Sequence, residues 1–479
     1  MDVLLSLDNQ INQLLEPIAE LSIAIIFYSI TIFDVDIPLI VIWLICASLF
    51  FTFYFNWLNI RGFKHALKVI KGDYSSSADP GEVSHFQALT TALSGTVGLG
   101  NIAGVAIAVS IGGPGATFWM IVAGILGMAT KFLECSLGVK YRIIDKDGQV
   151  HGGPMYYLRD GLKEIGYAKT GKLLAVIFAI CCVVASLCGS NMLQSNQAYQ
   201  QFMVAFGSDD SFWSGKGWLF GSILALLVGI VIIGGIKSIA QVTSKIVPFM
   251  AFVYLCSCTF ILFYHLPEIP TAFGLIIHGA FDPNGVAGGI IGVMIQGFKR
   301  ATFSSEAGVG AASIAHAAAT TKEPIREGYV ALIEPFIDTV VICTLTALVI
   351  VITGSYQTTQ ADGVALTSQA FASVIWWFPY LLSVAVLLFA LSTMISWAYY
   401  GSIAWQYLVG ENKAMSLLYK LIFCLFTIIG ASISLQSVID ISDSMFFSMA
   451  IANIIGLYLL APMIKKDLKV YQQKYTKKK

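Results

Sequence analysis

The feature that most constrains this sequence is an apolar segment, residues 88–110, which has no charged residue and is long enough to cross a bilayer. Its centre reads GTVGLGN (95–101), with three glycines, a threonine and an asparagine. Glycine in a helix interior costs roughly 1 kcal/mol relative to alanine, so the helix is weakest at its own midpoint. Non-helical backbone at membrane depth is tolerated only where it is buried in protein or lines a wet cavity. The segment therefore predicts a broken membrane span with a binding site at the break.

The composition is that of a polytopic membrane protein. Of the 479 residues, 57% are hydrophobic and 12% are charged, whereas a soluble domain has roughly 25% charged residues. Apolar runs near the required ~20 residues predict eleven spans, numbered here 1 to 11: 37–57, 84–111, 115–140, 172–199, 216–235, 245–264, 286–304, 327–353, 374–407, 415–434 and 441–464.

The N-terminal extension, residues 1–36, is expected to lie outside the spans. Residues 18–33 are apolar but short, and Asp34 and Asp36 follow at once, which favours an interfacial or re-entrant helix over a twelfth span. No cleavable signal peptide is expected, because no Lys or Arg precedes Arg61 to form a positively charged n-region.

The loops between spans alternate strongly in positive charge. If the loop after span 1 is cytoplasmic, the cytoplasmic loops and the tail, 465–479, hold 24 of the 28 Lys and Arg residues, and the opposite loops hold only Lys216. Positive charge concentrates in cytoplasmic loops. The charges thus predict a multi-pass protein of the inner (plasma) membrane with a cytoplasmic C-terminus, in which span 2 rises from inside to outside.

A second interrupted span lies five spans after the first. Span 7 has a polar run, 296–300, where a normal helix would stay apolar, and it continues into SSEAGVGAAS. Its glycines are Gly288, Gly289, Gly292 and Gly297. Two broken spans in matching positions of two oppositely oriented five-span units, 84–265 and 286–464, are typical of an inverted-repeat transporter.

An unwound GTVGLGN segment offers two kinds of ligand. Its N–H groups near 98–100 can receive an anion such as a carboxylate, and the positive dipole end of the second half-helix points the same way. Its C=O groups near 94–97 can coordinate a cation such as Na⁺, with Thr96 and Asn101 adding side-chain oxygens. A zwitterion and a sodium ion could share one break. The alternative is that the glycines only permit close helix packing, which does not explain the Thr and the Asn.

Seven motifs along the chain read HFQALTTALSGTVGLGNIAGVA, GGPGATFW, GMATKFLE, GGPMYYL, GGIKSI, GFKRATFSSEAG and SWAYYG. In this order they resemble the alanine/glycine:cation symporter family (sodium:alanine symporters), from about residue 38 onward. VGLGN by itself resembles the unwound first core helix of the neurotransmitter:sodium symporters, where it binds an amino acid and sodium. The N-terminal extension to about residue 36 has no counterpart in this resemblance.

The resemblance implies an all-α membrane protein with a leucine-transporter-type inverted repeat of five plus five helices in spans 2–11, and a peripheral span 1. A small amino acid would place its carboxylate on the N–H groups of Leu99 and Gly100. The implied substrate-binding residues are Thr96, Gly98, Leu99, Gly100, Gln194, Phe298 and Trp397. The implied sodium ligands are Ser94, Val97, Ser392 and Thr393, with Asn101 and Thr96 in a second site that not every member of the fold uses.

Each of these side chains also has a simpler interpretation. Gln194 could bond a neighbouring helix, Phe298 and Trp397 could be ordinary packing, and Thr393 could bond within its own helix. If the two aromatic residues do line the pocket, they leave little room beyond the backbone atoms of the ligand. Bulk that cannot fit is excluded more sharply than the ~1–3 kcal/mol by which one methylene is discriminated. This favours alanine or glycine without separating them.

Several charged residues fall inside predicted spans: Lys131, Glu134, Lys299, Arg300, Glu306 and Asp338. Lys131 and Glu134 are three apart on span 3, which suits a helical ion pair, or else a proton relay. Buried charges in membranes are usually paired. We therefore expect Asp338 to pair with Lys299 or Arg300 and to hold the break in span 7.

These observations together favour sodium-coupled symport of alanine or glycine into the cell by alternating access, with the amino acid, sodium and lipid as the expected ligands. Proton coupling is the first alternative; the apparent lack of an isolated carboxylate in the middle of the broken spans argues against it. An ion channel would show charge rings or repeated carbonyl loops. No enzyme motif such as G-x-S-x-G or H-E-x-x-H occurs, and no nucleic acid or obligate protein partner is expected.

Overall fold

The computed structural model describes residues 16–17, 20–32, 35–74, 79–146, 148–207, 211–283, 288–358, 363–432 and 436–476. Helices occupy the positions of spans 1 to 11: Leu39–Tyr54; His85–Thr96 with Ala103–Gly112; Gly115–Lys140; Ala168–Leu187 with Leu193–Phe206; Gly217–Ile233; Gly235–Tyr264; Gly289–Ser305; Pro324–Ala331 with Thr344–Thr353; Phe378–Val409; Lys413–Gly430; and Gln436–Thr476.

Shorter elements connect these helices or interrupt them. The short α-helices are Leu58–Arg61, Phe63–Ile70, Pro154–Tyr156, Leu162–Glu164, Ile269–Ala280, Ala312–Ala317, Ser355–Thr358 and Val364–Ala372. The 3₁₀ turns are Leu99–Asn101 and Leu266–Glu268, and the π-helical segments are Tyr157–Gly161, Cys188–Met192 and Phe336–Cys343. Wide π turns of this kind are frequent at functional sites, and two of them lie within spans 4 and 8.

Helix length and apolarity agree with a polytopic membrane protein. Over the described ranges, seven helices of at least 18 residues are long and apolar enough to cross a membrane. His85–Thr96 and Leu99–Gly112 form an eighth candidate, which is bent by 59°. The helices of spans 1, 5 and 7 have 16, 17 and 17 residues. The number of eleven spans therefore stays a prediction, because it depends on these shorter helices.

The end of the N-terminal extension differs from the predicted helix. Residues 20–26 are helical, but Ser29–Ile32 form a strand that pairs antiparallel with Val35–Pro38. The β-branched residues of SITI favour an extended backbone, and the Thr31 hydroxyl donates a 2.7 Å hydrogen bond to Asp36 across the hairpin. The chain thus enters span 1 from a short hairpin. Residues 1–15, 18–19 and 33–34 lie outside the described part of the chain.

The break in span 7 lies later than the sequence indicates. The helix Gly289–Ser305 runs unbroken through the polar stretch 296–300, where an interruption was predicted, so that position is wrong. Gly297 instead permits close packing, since a Cβ there would lie 2.5 Å from the Cβ of Trp119 on span 3. The helix ends at Glu306, which has a φ of 54°, and Gly308 and Gly310 follow at 93° each. Three left-handed residues within five positions end the helix here.

Candidate functional site

The first half of span 2 has a well-defined start and a well-defined end. Ser84 and Gln87 form a capping box, in which the Ser84 hydroxyl accepts the Gln87 N–H and the Gln87 side chain accepts the Ser84 N–H. The helix ends at Thr96, Val97 turns to a ψ of 87°, and Gly98 is extended. The break predicted within GTVGLGN is therefore present. Leu99 and Gly100 begin the next helical turn, and the first N–H groups of a helix have no partner within it.

Asn101 connects this break to two other spans. Its side-chain oxygen accepts the Gly98 N–H at 2.9 Å. Its amide group donates to the Ser304 hydroxyl at 3.0 Å, at the end of the span 7 helix, and to the carboxylate of Asp338 on span 8. The three residues Asn101, Ser304 and Asp338 are buried. One amide therefore joins the broken part of span 2 to both neighbouring spans.

Span 9 holds the other side of the break. The Thr393 hydroxyl donates to the Ser94 carbonyl at 3.1 Å, and the Ser94 hydroxyl donates to the Ser392 carbonyl at 2.6 Å. The Ser392 hydroxyl donates to Phe389 in its own helix at 3.0 Å. The structure thus brings Ser94, Ser392 and Thr393 together, while the role of these residues and of Val97 as sodium ligands stays a prediction.

The backbone at Gly98 is in close contact with two of the predicted side chains. A Cβ on Gly98 would lie 2.5 Å from Thr393 Oγ1 and 3.7 Å from Gln194 Oε1. Gln194 is 4% exposed, and its Oε1 has no hydrogen-bond partner among the described residues. Leaving a buried acceptor without a hydrogen bond costs about 1–3 kcal/mol. This oxygen therefore marks a position where a hydrogen-bond donor from a ligand would be stabilising. Thr96, by contrast, turns its hydroxyl back toward Ala92 and Leu93 at 3.4 Å.

Trp397 lies at the break, but Phe298 does not. A Cβ on Gly95 would lie 3.6 Å from the indole nitrogen of Trp397. Phe298 is 6.4 Å from Trp119 between ring centroids and lines a small cavity with Leu44 of span 1. Phe303 also lies beside the break in span 2, because its ring would be 3.5 Å from a Cβ on Gly100. The pocket roles of Phe298 and Trp397 stay predictions.

Two buried carboxylates lie beside the breaks, and the sequence indicated both as charged residues of the spans but not the partners that they have. Glu306, at the break in span 7, accepts the indole N–H of Trp397 at 3.0 Å. Asp338 accepts hydroxyl groups of Ser304 at 2.6 Å and Thr339 at 2.7 Å, besides the Asn101 amide. The expected lack of a carboxylate in the middle of the broken spans is therefore wrong. A carboxylate directly before a glycine-rich run, as in SSEAGVG, is the sequence signal that could have indicated the position of Glu306 at the break.

The predicted partners of the buried charges are also wrong. Asp338 is bonded to polar neutral groups, and the Lys299 ammonium instead lies 4.5 Å from the ring centroid of Phe27. Lys131 bonds Glu334 of span 8 at 2.9 Å, whereas Glu134 accepts the Asn453 amide of span 11 at 2.7 Å. Lys131 and Glu134 share one helix face, but each has a better partner on another span.

A separate cavity of about 630 Å³ opens at the end of the bundle that the loop charges assign to the cytoplasm. It is lined by the 148–151 and 232–237 loops and by Tyr399, two residues beyond Trp397. Glu82 lines it too, and its carboxylate accepts the Val150 N–H at 2.7 Å. Burial raises the pKa of the Glu82 carboxyl above its ordinary value, although this hydrogen bond lowers it. We refer to this cavity as the vestibule.

Comparison with known proteins places the chain in a family. A model of the sodium:alanine symporter family matches residues 22–479. The chain belongs to the sodium:alanine symporter family. It is therefore a sodium-coupled amino-acid transporter and a multi-pass membrane protein, and this family is not a class of enzymes.

Curated relatives extend over nearly the whole chain. The sodium/alanine symporter AgcS of Methanococcus maripaludis is 39% identical over 440 residues, which is 91% of this chain and 94% of the relative. The probable sodium/glutamine symporter GlnT of Bacillus subtilis is 32% identical, over 90% and 87%. The putative sodium/proton-dependent alanine carrier protein YrbD of Bacillus subtilis is 35% identical, over 87% and 86%.

The solved structure of another protein has the same fold as this chain. The crystal structure of MhsT in complex with L-phenylalanine superposes with a TM-score of 0.56 at 13% sequence identity, over 80% of this chain and 89% of that chain. The leucine-transporter-type fold that the family resemblance implies is thereby confirmed. At this identity the likeness concerns the fold alone.

Proposed function

We propose that this protein carries out sodium-coupled symport of a small neutral amino acid, alanine or glycine, into the cell by alternating access. The observation that supports this most directly is the pair of complementary groups around Gly98. Leu99 and Gly100 present N–H donors at the start of a helical turn, and the buried Gln194 oxygen is an acceptor without a described partner. A zwitterion needs both kinds of group within a few ångströms.

The substrate would bind with its carboxylate toward Leu99 and Gly100 and its ammonium toward Gln194. The dipole of the half-helix that begins at the break favours a carboxylate at that end. Because Oε1 of Gln194 is buried and neutral, it stabilises an ammonium through a charge-assisted hydrogen bond, which is stronger than one between neutral groups. The roles of Thr96 and Gly98 are to shape the backbone between these two ends.

Sodium would bind on the opposite side of the same turn. The Thr393 hydroxyl donates to the Ser94 carbonyl, and the Ser94 hydroxyl donates to the Ser392 carbonyl. Hydroxyl and carbonyl oxygens are the ligands that hard cations prefer, and the Val97 carbonyl and the Ser392 hydroxyl would complete the set. Thr393 would exchange its hydrogen bond to Ser94 for a bond to the ion. Asn101, with the Thr96 carbonyl, would contribute to a second sodium site, where Asp338 adds a carboxylate that the sequence interpretation did not include.

The size of the substrate follows from the residues that enclose the break. Trp397 is fully buried against Gly95, and Phe303 covers Gly100. These rings, rather than Phe298, limit the space beyond the Cα of a bound amino acid. The relatives named for alanine agree with a small side chain, and the relative named for glutamine provides the contrasting substrate for a test.

Reconstituted uptake tests this proposal. The purified transporter in proteoliposomes should accumulate labelled alanine or glycine under an inward sodium gradient, and glutamine should compete weakly. Replacing sodium with potassium should abolish accumulation. Full uptake driven by a proton gradient in sodium-free buffer would refute sodium coupling, and equal uptake of glutamine would refute the size limit.

Proton coupling is a second candidate function, favoured by the positions of Glu306 and Asp338. Buried carboxylates in membranes often carry protons, and both residues are within one hydrogen bond of the broken span or of Trp397. The two candidates separate in the same assay, because a proton carrier would acidify the vesicle lumen in step with alanine entry. Sodium symport leaves the luminal pH unchanged.

A further inference from the structure

Three ligand-bearing side chains, two from one hairpin and one from a distant turn, converge in the vestibule. His151 belongs to the strand Val150–His151, Asp145 follows its partner strand Ile143–Ile144, and Glu411 lies in the turn after the span 9 helix. His151 Nε2 is 3.4 Å from Asp145 Oδ2 and 3.6 Å from Glu411 Oε1. The three ligand atoms all lie within 4.8 Å of one another.

The distances suit a shared cation better than direct hydrogen bonds. An N–H···O bond normally measures ~2.7–3.2 Å, so contacts of 3.4 and 3.6 Å are long for one. Four ligands at about 2.1 Å around a tetrahedral ion lie about 3.4 Å from one another. The two separations from His151 Nε2, 3.4 and 3.6 Å, match this distance between ligand atoms.

The surroundings orient the ligand atoms toward one point. The Asp145 Oδ1 atom accepts the Gln149 N–H at 2.8 Å within the hairpin turn, which leaves Oδ2 facing His151. Hydrogen bonds of this kind fix ligating carboxylates in metal sites. His151 is 3% exposed, and its Nδ1 has no hydrogen-bond partner among the described residues.

We propose that Asp145, His151 and Glu411 bind a divalent transition-metal cation such as Zn²⁺. One imidazole with two carboxylates suits Zn²⁺ or Mn²⁺, whereas Na⁺ and Ca²⁺ prefer oxygen ligands alone. The site is therefore distinct from the coupling ion. All three residues line the vestibule, so water or a vestibule ligand completes the coordination.

Such a cation would join the hairpin between spans 3 and 4 to the end of span 9. Alternating access requires the walls of the vestibule to move relative to each other, and a bridge between two of them resists that motion. Bound metal would therefore slow transport by stabilising the arrangement seen here. This inference does not depend on which amino acid is carried.

Metal binding to the purified protein tests the site directly. Transporter prepared with a histidine-free affinity tag and stripped with a chelator is titrated with Zn²⁺, Mn²⁺ and Ca²⁺ by calorimetry. One Zn²⁺ per chain should bind, and His151→Gln or Glu411→Gln should weaken that binding at least tenfold. The matched control is His265→Gln, which removes a half-buried histidine 3.9 Å from Glu268 and should retain the tight site.

A second measurement separates a metal site from a folding defect. Glu411 is 62% exposed in a turn, so Glu411→Gln should melt at the temperature of the unaltered protein. Zn²⁺ on both faces of the membrane should slow alanine uptake several-fold in the unaltered protein and in His265→Gln, but not in His151→Gln. The site would be overturned by a lack of saturable Zn²⁺ binding, or by His151→Gln and Glu411→Gln binding Zn²⁺ as tightly as the unaltered protein. If one Zn²⁺ binds per chain but alanine uptake is unaltered, the metal does not bridge the two walls of the vestibule in a way that slows transport.

Discussion

The hydroxyl of Thr393 donates a hydrogen bond of 3.1 Å to the backbone carbonyl of Ser94. This contact joins span 9 to the last turn before the break in span 2, and it uses two of the four oxygens that would coordinate sodium. A cation placed between them would replace a weak neutral hydrogen bond by two ion–oxygen contacts. Sodium binding and the docking of span 2 on span 9 are therefore physically the same event in this arrangement.

Thr393→Ala should raise the sodium concentration for half-maximal uptake by about tenfold, equivalent to ~1.4 kcal/mol. The change removes one oxygen ligand without altering the substrate pocket, so the ranking of alanine, glycine and glutamine should be preserved. Sodium titrations of labelled alanine uptake measure this. Thr393→Ser keeps the hydroxyl and serves as the control. An unchanged sodium requirement in the alanine variant would exclude Thr393 as a ligand.

Gly98→Ala should abolish transport, whereas Gly104→Ala should be tolerated. A Cβ on Gly98 would lie 2.5 Å from Thr393 Oγ1, while a Cβ on Gly104 would meet nothing within 4 Å. Gly104 is inside the helix Ala103–Gly112, where alanine is favoured over glycine by about 1 kcal/mol. Alanine uptake and thermal melting of both variants check this pair. Equal activity of the two variants would show that the close contact at Gly98 is unimportant.

Gln194→Leu should raise the half-saturating alanine concentration at least tenfold and leave the sodium requirement nearly unchanged. The substitution removes the buried acceptor for the substrate ammonium but keeps an apolar side chain of similar length. Gln197→Leu, one turn further along the helix Leu193–Phe206, is the matched control, because Gln197 bonds Asn196 at 3.3 Å. If both variants have the affinity of the unaltered protein, Gln194 acts only in helix packing.

Local sequence and long-range packing account for different parts of this structure. The break in span 2 is predictable because Gly98 and the polar residues beside it weaken the helix where they stand. The position of the break in span 7 is not predictable in this way, because the polar run 296–300 looks as disruptive to a helix as the residues around Gly98. Only the packing of span 3 against Gly297 shows that the helix continues through this run. The partners of Lys131 and Asp338 depend on which spans meet in three dimensions. A spacing of three residues on one helix carries no such information.

Lys131→Met should destabilise the protein far more than Lys140→Met. Lys131 and Glu334 are fully buried, so removing one partner leaves an uncompensated charge, which typically costs ~3–5 kcal/mol. Lys140 is at the partly exposed end of the helix that contains Lys131, and it bonds Asp467 of span 11. Such exposed ion pairs are worth about 1 kcal/mol or less. Thermal melts of the two variants in one detergent test the difference. Similar melting temperatures would mean that Glu334 is neutral in the folded protein.

Asp338→Asn should make the sodium dependence of uptake less steep and lower its maximal rate at least tenfold. The carboxylate accepts hydrogen bonds from Asn101, Ser304 and Thr339, which leaves its negative charge uncompensated unless a cation binds beside Asn101. Removing the charge should remove that second cation. Ser304→Ala is the control, because it deletes the hydroxyl's hydrogen bonds to Asn101 and Asp338 but keeps the charge of Asp338. Initial rates over a range of sodium concentrations give the steepness for each variant. If the steepness is unchanged in Asp338→Asn but the pH dependence of uptake disappears, Asp338 carries a proton and the second coupling ion is not sodium.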